Sequence, residues 1–201
     1  MDLEKIRRNL SGIVIKPTIP LIQRTGLTPN SLTVIGLLIH AAAALLIING
    51  YFIWAGITVL FSGLFDMLDG ALAKNTNRVS KFGAMLDSVS DRMAEALVLF
   101  SICYFYSLTG QILPILLSFT TLTGSFLTSY IRARAEGLGI DCEVGWFTRA
   151  ERVVLISLGL LINQIIVVLA VLTVLTFFTV VERLVHVHKQ GKLGRDDNNE
   201  R

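Results

Sequence analysis

Long apolar runs separated by short polar segments fill most of this 201-residue chain. A run of about 20 mainly apolar residues is long enough to cross a bilayer as a helix. The fifth run is short when its apolar residues alone are counted, so its helix is expected to begin near Thr148. With 53% hydrophobic and 16% charged residues, the composition is typical of an integral membrane protein, here an all-α one with six transmembrane helices. The predicted spans are Leu32–Asn49, Phe52–Ala73, Phe82–Tyr106, Ile112–Ile131, Val153–Ile162 and Ile165–Val185.

The basic residues indicate how the chain is oriented. All 18 Lys and Arg lie in the N-terminal segment, around the connections between spans two and three and between spans four and five, or at the C-terminal end. The other three connections, near Gly50, 108–110 and 163–164, contain none. Because Lys and Arg are enriched in cytoplasmic loops, we predict a multi-pass cell-membrane protein with both termini in the cytoplasm.

The segments that flank the spans differ from them. Residues 2–24 alternate charged with aliphatic side chains until Pro17 and Pro20 interrupt the pattern, which indicates an amphipathic juxtamembrane helix on the cytoplasmic face. Residues 188–201 are polar and are expected to be disordered. A single membrane domain is therefore predicted over residues 1–187.

Four aspartates interrupt the apolar pattern in the stretch DMLDGALAKNTNRVSKFGAMLDSVSDR. Asp66 and Asp69 are three residues apart near the end of the second span, and Asp87 and Asp91 are four apart near the start of the third. Both spacings place a pair on one helix face, and each pair lies about two helical turns from the polar connection 75–80. An antiparallel hairpin would therefore bring the four carboxylates together just inside the cytoplasmic surface.

Clustered carboxylates repel one another and are costly to remove from water, so they require positive partners. Mg²⁺ and Mn²⁺ prefer hard oxygen ligands such as carboxylates and phosphates, and two ions can share four carboxylates. We predict a site for two Mg²⁺ ions, with Mn²⁺ as an alternative. Salt bridges would also neutralise the aspartates, but they leave unexplained why all four face inward at one depth. The basic side chains available for them are Lys74, Arg78, Lys81 and Arg92.

The complete spacing is more specific than its parts. It resembles the signature of the CDP-alcohol phosphotransferase family, and GLTPNSLT at 26–33 is similar to the start of that family's first helix. The family's usual arginine is Lys74 here, which keeps the charge but lacks the bidentate fork. Written out, the pattern is Asp66-x2-Asp69-Gly70-x2-Ala73-Lys74-x8-Gly83-x3-Asp87-x3-Asp91.

The resemblance implies six transmembrane helices, a homodimer, and transfer of the phosphatidyl group of a CDP-linked lipid to an alcohol with release of CMP. It also implies that Asp66, Asp69 and Asp87 bind the metal ions. Asp91 would contribute as a ligand and act as general base on the acceptor hydroxyl. The residues implied for CDP-lipid binding are Asn30, Ser31, Leu32, Thr33, Gly70, Lys74 and Ser80.

An arginine-rich connection indicates the kind of alcohol. The segments SYIRARAEGLG and TRAERVV place four arginines beside the predicted metal site, which suits an acceptor that itself carries phosphate. The preference for cytoplasmic arginine alone would also account for them. SYIRARAE with a later ER pair is similar to the phosphatidylinositol-phosphate synthase branch of the family, whose acceptor is inositol phosphate. The acceptor-phosphate residues that this resemblance implies are Ser129, Arg132, Arg134, Arg152 and Arg183.

Other functions stay open. Glycerol 3-phosphate could use the same pocket, whereas serine needs no phosphate pocket. A six-helix transporter could use the aspartates as an ion site, but its path should carry polar residues on both sides of the bilayer midplane. Glu95, one turn beyond Asp91, either supports the ligands or pairs with an unidentified donor. The expected partners are a CDP-diacylglycerol or CDP-archaeol donor, a phosphorylated polyol acceptor, the bilayer and a second copy of the chain, with no nucleic acid.

Overall fold

The computed structural model describes residues 16–76, 78–145 and 147–199, and it is helical in every regular element of this part. The all-α prediction is confirmed, and each predicted span coincides with one helix of the structure. The helix that corresponds to the fifth predicted span starts directly after Thr148, as expected. The seven helices of the described residues are α1 Lys16–Arg24, α2 Pro29–Ile48, α3 Phe52–Asn75, α4 Lys81–Leu108, α5 Ile112–Glu136, α6 Arg149–Leu161 and α7 Ile165–Asn199.

The two ends of the chain compare differently with the sequence predictions. Most of the predicted juxtamembrane helix, residues 2–15, lies outside the described residues, and the described remainder forms α1. At the other end α7 continues to Asn199, where the sequence predicted a disordered tail from residue 188. Residues 188–199 contain no proline, so the backbone there can continue the helix that the apolar span begins.

Within the described residues, four helices are long and apolar enough to cross a membrane: α2, α3, α5 and the part of α7 over Ile165–Gly191. Helix α4 has 28 residues, but charged side chains occupy its first half. Helix α6 has 13 residues, which corresponds to about 20 Å against a hydrocarbon core of about 30 Å. The structure thus supports a multi-pass membrane protein and leaves the six-span topology as a prediction.

Helices α2 to α7 close into a ring in which each packs against two neighbours. The order around the ring is α2, α3, α6, α7, α5 and α4, with α4 returning to α2. The shared apolar core draws on all six helices, through residues such as Ile47, Val59, Ile102, Leu160 and Leu169. These residues come from the helix ends remote from the connection 75–80, so the core fills one half of the ring and leaves the other for polar side chains.

Glycines set how closely the ring helices approach. A Cβ at Gly56 of α3 would lie 2.9 Å from the Ser157 carbonyl oxygen of α6. A Cβ at Gly159 of α6 would lie 2.9 Å from Val168 Cβ of α7. Small residues permit such close approach in membrane proteins, and here they hold α6 against both of its neighbours.

Local capping fixes where the two helices with charged first turns begin. The Ser80 hydroxyl accepts a hydrogen bond from the Gly83 amide at 2.9 Å and starts α4. Thr148 and Glu151 form a capping box that starts α6. Side-chain oxygens satisfy the free amides of a first turn, so these caps fix the residue at which each helix begins. The helix start in turn determines the position along the helix axis of the side chains that α4 and α6 contribute to the polar half of the ring.

Candidate active site

The four aspartates meet between α3 and α4, at the end of the ring opposite the apolar core. Asp69 is 5% exposed, and the other three are partly buried. Asp66 and Asp87 lie near enough to Asp69 for their charges to repel it, and the same two charges act on Asp91. The structure thus brings together the residues that the sequence placed at one depth.

An arginine from a third helix lies among these carboxylates. Both terminal nitrogens of Arg149, the first residue of α6, donate to Asp66 Oδ2 at 3.1 Å. Its Nη1 also lies 2.9 Å from Asp91 Oδ1. Of the basic side chains considered as salt-bridge partners from the sequence, Arg92 alone reaches an aspartate in the described chain, with Nη1 3.8 Å from Asp91 Oδ2. Salt bridging therefore occurs, but mainly through a residue outside that set.

The donor set suits hard divalent cations, although the side chains do not form a closed metal group as they lie. Across the described residues, no three His, Cys, Asp or Glu side chains are arranged to hold an ion. Asp69 and Asp87 make no salt bridge in this part of the chain. Four carboxylates facing two arginines keep an excess of negative charge, and carboxylate oxygen is the donor that Mg²⁺ and Mn²⁺ prefer. The residues fit such ions, provided that Arg149 releases the oxygen atoms it holds.

The start of α2 connects the predicted CDP-lipid residues to the carboxylates. The Thr33 hydroxyl donates to Asp69 Oδ2 at 2.6 Å. A Cβ at position 83 would lie 3.1 Å from Asn30 Oδ1 and 3.0 Å from Ser80 Oγ. The glycine at position 83 therefore lets α2 approach the first turn of α4 and brings Asn30, Ser80 and Thr33 to one side of the cluster.

The remaining predicted CDP-lipid residues differ in what they offer. Gly70 has no heavy atom of the described residues within 4 Å of the place its Cβ would occupy, so there is space for a ligand beside its backbone. Lys74 is exposed one turn further on. The Ser31 hydroxyl is engaged with Thr28 Oγ1 at 2.8 Å. Leu32 is 2% exposed and belongs to a small apolar cluster, so its side chain supports the site without facing a ligand.

A buried ion pair lies one turn deeper than Asp91. Arg152 donates through Nε to Glu95 Oε1 at 2.7 Å and through Nη2 to Glu95 Oε2 at 3.0 Å. Ser125 of α5 donates to the same Oε2 at 2.7 Å. Glu95 therefore pairs with a donor that the sequence left unidentified. Arg152, predicted to bind acceptor phosphate, is 3% exposed and has Nη1 and the second hydrogen of Nη2 left for another anion.

Arg183 is the centre of the other predicted acceptor residues. It donates from α7 to the carbonyl oxygens of Thr128 and Val144, and Thr128 directly precedes Ser129. The Arg132 and Arg152 charges lie near enough to act on Arg183, so three of the predicted cations lie in one region of the structure. Arg132 also bonds Glu136 at 2.8 Å.

Arg134 does not share this direction. Residues two apart on a helix point about 200° away from each other, so Arg132 and Arg134 of α5 cannot face the same pocket while both stay helical. Arg134 is exposed and makes no ion pair within the described residues. For Arg134 to bind acceptor phosphate together with Arg132, the end of α5 would have to take a different arrangement from the one in this structure.

Arg149 was one of the four arginines expected beside the metal site, but its ion pairs with Asp66 and Asp91 were not predicted. Asp91 and Glu95 are four apart on α4, and Arg149 and Arg152 are three apart on α6, so each helix presents its pair on one face. The matched spacings form two ion pairs at successive levels. This match was the available signal, but it becomes informative only once α4 and α6 are known to face each other.

The chain is similar to named proteins from bacteria and archaea. The phosphatidylinositol phosphate synthase of Corynebacterium glutamicum is 31% identical over 191 residues, which cover 90% of this chain and 87% of the relative. The archaetidylinositol phosphate synthase of Pyrococcus horikoshii is 36% identical over 170 residues, which cover 84% of this chain and 88% of the relative.

Solved structures share the fold. A crystal structure of the Mycobacterium tuberculosis phosphatidylinositol phosphate synthase with CDP-DAG bound has a TM-score of 0.81 at 31% identity and covers 87% of this chain and 93% of its own. A second, in complex with manganese and citrate, has a TM-score of 0.81 at 30% identity and covers 87% and 88%. A profile described as CDP-alcohol phosphatidyltransferase matches residues 26–184. The family predicted from the aspartate motif is thereby confirmed, and the chain belongs to the CDP-alcohol phosphatidyltransferase family.

Proposed function

We propose that this protein transfers the lipid phosphatidyl group of a CDP-linked lipid to inositol phosphate and releases CMP. The observation that carries the proposal is the meeting of Asp66, Asp69, Asp87 and Asp91 from two helices, next to an arginine that bonds two of them. Relatives named as archaetidylinositol and phosphatidylinositol phosphate synthases support the acceptor, and the solved structure with CDP-DAG supports the donor. The donor lipid is CDP-diacylglycerol or CDP-archaeol. A transporter is no longer retained, since the family is one of transferases.

The four aspartates have two proposed roles, metal binding and removal of the acceptor proton. Asp66, Asp69 and Asp87 hold two divalent ions, Mg²⁺ or Mn²⁺, and manganese in a relative's structure supports this choice. The bound ions supply positive charge that stabilises the leaving CMP. Asp91 also contributes an oxygen and takes the proton of the acceptor hydroxyl, whose oxygen then bonds to the lipid-linked phosphorus as the bond to CMP breaks.

The donor lies along the start of α2 and the end of α3. Thr33 holds Asp69 Oδ2 through its hydroxyl and so orients one metal ligand. Asn30, Ser80 and the open backbone at Gly70 offer polar contacts to the CDP group. Lys74 supplies a charge to the pyrophosphate, Ser31 contributes through its backbone, and Leu32 fixes the helix against α1 and α3.

The acceptor phosphate binds in the region where three of the predicted arginines lie. Arg183, Arg132 and the free Nη1 of Arg152 supply the positive charge, and Ser129 supplies a hydroxyl. Of the five acceptor-phosphate residues implied by the sequence, Arg134 has the least structural support, because it lies on the opposite side of α5 from Arg132. Charge-assisted hydrogen bonds from several guanidinium groups suit a phosphate monoester, which inositol phosphate and glycerol 3-phosphate both carry.

The same proposal includes the membrane arrangement. All six ring helices cross the bilayer, α4 and α6 being sheltered between apolar neighbours on either side. Both termini and the aspartate cluster face the cytoplasm, because the basic connections lie at that end. The charged first half of α4 then lies at the water-facing edge of the ring, where its aspartates meet a soluble acceptor. Two copies of the chain associate as a homodimer.

The test of this function is a parallel acceptor assay. Purified protein, CDP-diacylglycerol or CDP-archaeol and Mg²⁺ are incubated with inositol phosphate, glycerol 3-phosphate or serine, and both CMP and the lipid product are measured. The expected result is CMP release with a phosphatidylinositol phosphate-type product from inositol phosphate alone. Product from glycerol 3-phosphate and none from inositol phosphate would contradict the acceptor while leaving the family and the aspartates in place.

A further inference from the structure

Arg149 uses the oxygen atoms that a metal ion at this site would need. Its terminal nitrogens bond Asp66 Oδ2 at 3.1 Å, and its Nη1 lies 2.9 Å from Asp91 Oδ1. Asp66 Oδ1 is turned towards α2, 3.2 Å from the place a Cβ at Gly36 would take. Asp91 Oδ2 faces Arg92. An ion that binds Asp66 Oδ2 or Asp91 Oδ1 would therefore use an oxygen that Arg149 already contacts.

A guanidinium and a divalent ion cannot both hold these oxygens. The two cations repel each other, and a metal–oxygen distance of about 2.0–2.6 Å leaves no room for an arginine nitrogen on the same side. We propose that Arg149 is a displaceable cation of the active site: it competes with the divalent ion for Asp66 and Asp91, and yields them when the ion binds. The inference rests on the proposed function in one respect, that the ion binds at these aspartates.

The contacts of Arg149 are incomplete, which favours displacement over a fixed structural role. Its Nε is buried and has no hydrogen-bond partner among the residues that the structure describes, whereas the neighbouring Arg152 uses both Nε and Nη2 on one carboxylate. The Arg149 side chain is 23% exposed against 4% for Arg152. A buried donor without a partner is costly, so Arg149 gains by moving to an anion that also satisfies Nε. A substrate phosphate, whose oxygens accept several hydrogen bonds, is such an anion.

The competition predicts an effect of unusual sign. Removing a structural arginine weakens a neighbouring site, whereas removing a competitor strengthens it. Arg149→Gln should therefore bind Mn²⁺ more tightly than the wild type. Since a hydrogen bond to a charged group is worth roughly a tenfold to hundredfold change in an equilibrium constant, the Mn²⁺ Kd should fall by about that factor.

Mn²⁺ binding is measured on the purified full chain in detergent by the loss of the free-ion electron paramagnetic resonance signal. Arg24→Gln is the matched control, because Arg24 is an exposed arginine at the end of α1 with no part in the site. Its Kd should stay at the wild-type value, which separates competition from a general change in charge. Arg149→Lys is the second variant; lysine lacks the fork, so its Kd should lie between those of Arg149→Gln and the wild type.

A Kd in both Arg149 variants equal to or above the wild-type value would overturn the inference. An equal fall in Arg24→Gln would overturn it as well, since the effect would then be one of net charge. Asp87→Ala separates this outcome from failure of the proposed function. Mn²⁺ binding that persists unchanged in Asp87→Ala contradicts the metal site itself, whereas its loss with no tightening in the Arg149 variants contradicts the competition alone.

Discussion

The buried pair of Glu95 and Arg152 makes a sharp prediction about stability. Glu95→Gln keeps the shape of the side chain and an oxygen for Ser125, but it leaves the Arg152 charge without a counter-charge. The two side chains are 3% and 4% exposed, so water cannot replace the lost carboxylate. Breaking a buried pair by removing one partner costs about 3–5 kcal/mol; the hydrogen bonds that glutamine retains place the expected cost near the lower end of this range.

The assay is thermal denaturation of the purified protein in one detergent, followed by intrinsic fluorescence and by size-exclusion chromatography. For a chain of this length, 1 kcal/mol corresponds to about 2–4 °C, so Glu95→Gln should lower the midpoint by about 6–12 °C. Glu136→Gln is the matched control, because its pair with Arg132 is 49% and 47% exposed. An exposed helical pair contributes about 0.3–0.5 kcal/mol, and its loss should lower the midpoint by no more than about 2 °C.

The double variant Glu95→Gln with Arg152→Met completes the cycle. Removing both charges leaves no uncompensated ion, so the midpoint should recover a large part of the loss caused by Glu95→Gln. The reasoning would be refuted if Glu95→Gln melted within 2 °C of Glu136→Gln, or if the double variant were as unstable as the sum of the two single variants. Either result would mean that the pair is not shielded from water as its burial indicates.

Two further predictions concern the reaction. Asp91→Asn should lower the transfer rate by about 10²–10⁴-fold, the usual contribution of a general base, while metal-dependent CDP-lipid binding persists in equilibrium measurements; near-normal turnover would contradict the assignment. Arg183→Gln should raise the KM for inositol phosphate by about 10- to 150-fold, as expected for the loss of a charge-assisted contact, with the CDP-lipid KM unchanged in steady-state kinetics. A parallel rise of both KM values would instead indicate that Arg183 only holds α7 against Thr128 and Val144.

The helices and the aspartate cluster could be predicted because their causes are local. Apolar runs specify membrane helices residue by residue, so the predicted spans agree with α2 to α7. Asp66, Asp69, Asp87 and Asp91 lie on two consecutive helices at similar distances from the connection between them, so the sequence spacing places them at one depth. The start of α2 was associated with the site through the family resemblance, and the hydrogen bond from Thr33 to Asp69 joins two helices that are consecutive in the sequence.

The arginine contacts could not be predicted because they join distant parts of the chain. Arg149 is 83 residues from Asp66, and Arg152 is 57 residues from Glu95. Which helices face each other across a ring depends on the packing of all six, not on any single segment. The sequence does not distinguish a cytoplasmic arginine that binds phosphate from one that sets topology or neutralises a carboxylate, so the pairing of Arg152 with Glu95 could not be predicted.

The measurement that tests the central claim most directly is CDP-lipid binding to Asp69→Ala with and without Mg²⁺ or Mn²⁺. Asp69 is the most buried of the four aspartates and is oriented by Thr33, so its loss removes a proposed metal ligand without disturbing the exposed side of the site. If the aspartates bind the ions and the ions bind the donor, the wild type requires metal for CDP-lipid binding and Asp69→Ala loses both binding and transfer. CDP-lipid binding to Asp69→Ala with unchanged affinity and unchanged metal dependence would show that the ions and the donor bind elsewhere.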